Sequence, residues 1–163
     1  MADLLTHAMV GYSIGMLLSW KYEWIKPSYV TMIMAGATLP DIVRIGLLID
    51  SAAVEHYLNI PFSWTPLHTG GGVMITVLVF ASLFEKKTAG RLFLVILIGA
   101  ASHLILDALL ITASGTSYAI FWPLTRHRLS TSGLYLSTDV LPAIISTAAA
   151  FLVWRVDDHK FSS

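Results

Sequence analysis

The chain has 163 residues and no cysteine, which excludes disulfides and any thiolate metal site. Charge is the next scarcity. Only 12% of residues are charged, against about 25% in an ordinary soluble domain. The ten basic and ten acidic residues cancel to a net charge of zero, so no basic surface points to nucleic acid as a partner. No Lys or Arg precedes the first apolar run, which begins at Leu4. The basic leader of a cleaved signal peptide is missing there, and none is expected. Linkers, low-complexity tracts and sequence repeats are lacking too. The chain therefore reads as a single integral membrane domain over residues 1–163.

What fills the sequence is apolar: 56% of residues are hydrophobic. Several runs approach the ~20 residues needed to cross a bilayer. The fold class expected is all-α, a polytopic transmembrane bundle of about five helices. Helix 1 is placed at Ala2 to Trp20, helix 2 at Ser28 to Ile49 with Pro40 as a kink, and helix 3 at His68 to Phe84. Helix 4 follows at Arg91 to Ala113 and helix 5 at Tyr135 to Trp154. Asp50 to Leu67 reads as a loop with room for a short interfacial helix, and Ser114 to Leu134 as a second long loop. Lys21, Lys26, Lys86, Lys87, Arg91, Arg155 and Lys160 gather on one side, whereas Arg126 and Arg128 stand on the other. The positive-inside rule makes the first side cytoplasmic and puts the N-terminus and both long loops outside.

The polar residues within these runs carry the chemistry. In the stretch Gly99 to Ala108, His103 and Asp107 are four residues apart and share one helical face. Ionisable groups in hydrocarbon are costly and must turn to protein partners. His7, Asp41 and His68 supply them: with His103 and Asp107 they lie in the outer half of the bundle, roughly 9–15 Å deep for helix 4 and about 12 Å for Asp41. Gly11 and Gly15 continue the face of His7, and Gly99 that of His103, so these faces pack against neighbouring helices. Three imidazoles and two carboxylates suit zinc, as one or two ions, or another divalent metal. Asp107 is the natural bridge between a His7 site and an Asp41/His68/His103 site. Such a centre suits phosphoester cleavage, with Arg126, His127 and Arg128 available to contact a phosphate. Plainer readings exist for each group. His103 and Asp107 also read as a hydrogen-bonded pair, Asp41 as the i+3 partner of Arg44, and the Arg126–Arg128 segment as ordinary headgroup contact.

Thr6-His7, Leu39-Pro40-Asp41, Ser63 to Thr69, Ser102 to Ala108 and Phe121 to Leu124 together resemble the blocks of the prokaryotic membrane-bound metal-dependent hydrolases of the YdjM type. That family is similar in turn to zinc-dependent phospholipase C. The resemblance implies that Asp41, His68, His103 and Asp107 ligate one metal and that His7 joins Asp107 at another. It also implies Asp41 and Asp107 as catalytic carboxylates. The chain departs from the family pattern at Ser63, which stands where the third block often carries a histidine. The function expected is a metal-dependent hydrolase of the prokaryotic cell membrane, acting near the outer leaflet on a phosphoester such as a lipid headgroup, with membrane lipid as partner. A small transporter and a non-catalytic metal-binding membrane protein are the alternatives.

Overall fold

A computed structural model describes residues 3–112, 115–116, 119–128 and 133–161. The expected start of helix 1 at Ala2, end of helix 4 at Ala113 and start of the second long loop at Ser114 lie outside the described residues. Those described fold into six α-helices, two 3₁₀ segments and one pair of two-residue strands. Helix α1 spans Leu4–Lys21 and is started by Asp3, whose carboxylate accepts the Thr6 backbone N–H at 2.9 Å. That bond satisfies one of the donors a helix start leaves open. Lys21 sits in its last turn, where a cation complements the helix dipole.

Helix α2, Pro27–Thr38, starts on a proline in its first turn, where the missing N–H costs nothing. The sequence predicts one helix through Ile49 with a kink at Pro40. Instead, the α-helix stops at Thr38 and the chain continues as a 3₁₀ segment over Leu39–Leu47. Proline cannot donate in the ladder, and its ring crowds the preceding turn, so the backbone tightens there. Helix α3, Ser51–Leu58, occupies the loop that follows, and a second 3₁₀ turn over Thr65–His68 leads into α4, Gly70–Ser82. At 13 residues, α4 is about 20 Å long, short of a ~30 Å hydrocarbon layer.

Helix α5 spans Lys86–Ala108, starting earlier and ending earlier than the sequence predicts. The second correction concerns the last helix. Tyr135 and Leu136 are not its first turn but a strand, β2, paired in parallel with β1, Leu110–Ile111. Asp139 causes the delay. Its carboxylate accepts the Leu136 N–H at 2.7 Å and its own N–H donates to the Leu136 carbonyl at 3.0 Å, closing a turn of the kind aspartate favours. Helix α6 then runs over Leu141–Phe161.

Helices α2 and α5 form the central pair, with α1 against α2 and α6, and α4 against α5. The α2–α5 contact is made at glycine. A Cβ on Gly99 would lie 2.0 Å from the Ile33 carbonyl oxygen, and one on Gly36 would lie 2.2 Å from that of Ile96. Only residues without side chains allow backbones so close. Ile33, Val73, Val77, Val95, Ile96 and Ala100 fill the core around this crossing. Two segments, Pro27–Leu47 and Lys86–Ala108, are long and apolar enough to cross a membrane. Leu78, Val79, Ile105, Ile144, Ile145 and Leu152 are each more than half exposed, an apolar exterior that a water-soluble monomer rarely carries.

Candidate metal centre

At the C-terminal end of α5 the structure buries four polar side chains against one another. His7 comes from the first turn of α1, His68 from the 3₁₀ turn before α4, and His103 and Asp107 from α5. His7 and His103 are fully buried, and Asp107 is 8% exposed. The Asp107 carboxylate is the hub. His7 Nε2 lies 3.5 Å from Oδ1, His68 Nε2 2.9 Å from Oδ2, and His103 Nε2 3.6 Å from Oδ2. The rings of His7 and His103 stack with centroids 3.7 Å apart, and His68 meets His103 edge-on at 5.1 Å.

The protonation of two of these rings follows from their partners. His103 Nδ1 is 2.7 Å from the Ala37 carbonyl oxygen, and His68 Nδ1 is 3.2 Å from that of Pro40. A carbonyl oxygen only accepts, so both Nδ1 atoms carry hydrogen and donate. In the neutral rings both Nε2 atoms then present lone pairs toward the carboxylate. Lone pairs facing a carboxylate at 2.9 Å repel unless a proton or a cation stands among them. His103 Nε2 and both nitrogens of His7 are buried with no hydrogen-bond partner among the described residues, a costly state for protein alone. Imidazoles fixed by Nδ1–H to a carbonyl, with Nε2 aimed at a shared carboxylate, are the usual donor set of a divalent metal. One ligand atom each from His7, His103 and Asp107 lies within 4.8 Å of the others, and the three residues fit such an ion.

The backbone explains why those carbonyls are available. In 3₁₀ register the donor to the Ala37 carbonyl would be residue 40, and Pro40 has no N–H. That oxygen is left for His103, brought within reach by the Gly36–Gly99 contact. His68 depends on a third close approach, since a Cβ on Gly72 would fall 1.8 Å from the Pro66 carbonyl oxygen. Gly70 and Gly71 donate their N–H groups to the carbonyls of Ile120 and Trp122 at 2.7 and 2.8 Å, which seats the Trp122–Pro123 loop over the start of α4.

The other expected site residues are placed differently. Asp41 is buried, but its Oδ1 lies 3.1 Å from Arg44 Nε. A 3₁₀ turn of three residues stacks i on i+3, which accounts for that pairing. Neither Asp41 oxygen accepts a hydrogen bond among the described residues, so the contact with Arg44 is an ion pair without hydrogen-bond alignment. The group gathered within 4.8 Å among the described residues is His7, His103 and Asp107. Arg126, His127 and Arg128 are exposed in a loop, and His127 N–H donates to the Thr125 hydroxyl at 3.0 Å. Ser63 is exposed, and its hydroxyl donates to that of Thr65 at 3.1 Å.

Tyr135 is the participant that the sequence hides. Its hydroxyl donates to the Leu106 carbonyl at 2.9 Å, tying β2 to the turn that carries Asp107. Burial and the negative charges of Asp107 and Asp3 push its phenol up to about 12. Read as the start of a helix it would face no such carbonyl, and only the strand pairing reveals it.

The helical core, its apolar exterior and this buried cluster define a small membrane protein with a possible His/Asp metal site. The chain belongs to the YdjM inner membrane protein family, whose profile matches residues 1–161. No curated protein and no solved structure matches it, and the likeness to zinc-dependent phospholipase C gains no support from either comparison.

Proposed function

We propose that this protein is a metal-dependent hydrolase of the prokaryotic cell membrane that cleaves a phosphoester near the outer leaflet. The observation that carries the reading is the convergence of three Nε2 atoms on one buried carboxylate, with His103 Nδ1 held by a carbonyl. His7 and His103 bind from one stacked pair. Asp107 offers Oδ1 toward His7 and Oδ2 toward His68 and His103, so it would serve as the shared carboxylate ligand. Zinc suits two or three imidazoles with one carboxylate and an open position. A bound divalent ion would supply Lewis acidity and activate water at neutral pH. The chain's own part is to hold the imidazoles in one tautomer and shield the centre from bulk solvent. Asp41 has the supporting part: it adjoins the Pro40 carbonyl that orients His68, and its ion pair with Arg44 steadies that turn. Arg126, His127 and Arg128 serve a phosphate headgroup at the surface.

In this reading α1, α2 with its 3₁₀ extension, α4, α5 and α6 are five spans, and α3 lies at the interface. Lys21, Lys26, Lys86, Lys87 and Arg91 fall at helix ends away from the cluster, which supports a cytoplasmic position for those ends and an outside N-terminus.

The test is metal analysis of the purified protein, then a screen of lipid and water-soluble phosphoesters. Wild type is expected to retain at least one equivalent of metal and to hydrolyse one class. His103→Ala and Asp107→Asn are expected to lose both properties. A wild type without stoichiometric metal overturns the reading. Flux of metal or protons in liposomes would favour a transporter, and unfolding on chelation without any turnover would favour a purely structural ion.

A further inference from the structure

Between α1 and α6 lies a cleft of about 470 Å³, lined by Thr6, Val10, Leu106, Tyr135, Ile145 and Ala149 among others. Two of these residues are chain neighbours of the cluster: Thr6 precedes His7 and Leu106 precedes Asp107. The cleft is graded along its length. At the level of the cluster its wall includes Thr6, Tyr135 and Asp139 beside Leu106 and Leu134, whereas farther along the helices it passes Val10, Ile145 and Ala149 with Ser146 as the one polar side chain. From Leu141 to Ala149 the α6 wall rises about 12 Å, parallel to the helix axes. The Tyr135 hydroxyl, bonded to the Leu106 carbonyl, adds a polar group at the upper end. A molecule that fits is polar beside the cluster and apolar below it, with its long axis along the helices.

From this arrangement we infer that the α1–α6 cleft holds a single acyl chain of a membrane lipid, with the lipid's polar head presented at the His7–Asp107 end. The inference rests on the hydrolase reading for the chemistry at that end and deepens it by naming the substrate class, an acyl-bearing phosphoester. A lipid aligned with the helices enters sideways from its leaflet without leaving hydrocarbon. A free phosphoester has the same head but no chain to fill the apolar length. Membership of a membrane family and a predominantly apolar wall favour the lipid.

Native mass spectrometry of the detergent-purified full chain tests this, with long-chain lysophosphatidylglycerol and glycerol phosphate as probes. Wild type is expected to retain one lysolipid per chain and no glycerol phosphate. Ala149→Trp fills the lower cleft and should lower lysolipid occupancy about tenfold, and Ser146→Leu should lower it as well, a second variant in case the first folds poorly. Ala148→Trp, on the neighbouring face with Leu5 and Phe151, should leave occupancy unchanged. Equal retention by wild type, Ala149→Trp and Ser146→Leu overturns the inference, as does retention of glycerol phosphate alone. Lysolipid kept by a wild type that hydrolyses nothing would sink the hydrolase reading and still support the cleft.

Discussion

Two buried aspartates sit at the same end of this molecule in opposite circumstances. Asp41 has a cation of its own, Arg44, three residues on in the same turn. Asp107 has three imidazoles, two of which spend their Nδ1 hydrogens on backbone carbonyls and turn Nε2 toward it. A carboxylate beside an arginine of its own turn is neutralised by the chain. A carboxylate that meets three imidazoles at once calls for a proton or a cation among them, and that difference makes Asp107 the stronger candidate ligand.

The comparison can be broken by substitution. The largest effect is expected at the hub: Asp107→Asn should weaken zinc retention by about two orders of magnitude or more, while Asp41→Asn changes it little, both read by competition with a chelator. Similar losses in both variants would erase the distinction. Next comes the crossing that delivers the Ala37 carbonyl. Gly99→Val places a Cβ where only 2.0 Å is available, and it should destabilise the protein by about 3 kcal/mol in detergent unfolding. Its residual folded fraction should bind zinc more weakly, because His103 loses its orienting acceptor.

Asp41→Asn itself should lower stability by only about 1 kcal/mol, since Arg44 is partly exposed and screened. A similar effect belongs to Tyr135→Phe, about 1 kcal/mol for the lost hydrogen bond to Leu106. That contribution has a pH signature. The folded phenol is raised to about 12 from an ordinary value of 10.0, so the folded state holds its proton where the unfolded state releases it. The stability is therefore complete below pH 10 and is lost as pH rises through about 12. The gap between wild type and Tyr135→Phe should narrow across that window in pH-dependent unfolding.

Much of the site was legible in the sequence because helical spacing is rigid. His103 and Asp107 four apart had to share a face, and Gly11 and Gly99 were readable as close-packing positions, which the Gly11 contact with Ala37 and the Gly99 contact with Ile33 bear out. The Asp41–Arg44 pairing was also open to view as an i+3 relation. What stayed hidden depends on backbone events with weak sequence signals. Pro40 announced a kink, but not that a 3₁₀ register would leave a carbonyl free for His103. Tyr135 lay in an apolar run that resembles a helix start, and its strand pairing with Leu110 is a tertiary contact. The stacking of the His7 ring on that of His103 is likewise a contact between helices, which no spacing encodes.

The central claim is that His7, His103 and Asp107 bind one divalent ion. X-ray absorption spectroscopy of the zinc-loaded protein reads it most directly. The account predicts imidazole scattering from at least two histidines at about 2.0–2.1 Å, with one histidine lost in His7→Ala and one in His103→Ala. A shell of oxygen neighbours alone, or a spectrum unchanged in both variants, would contradict it.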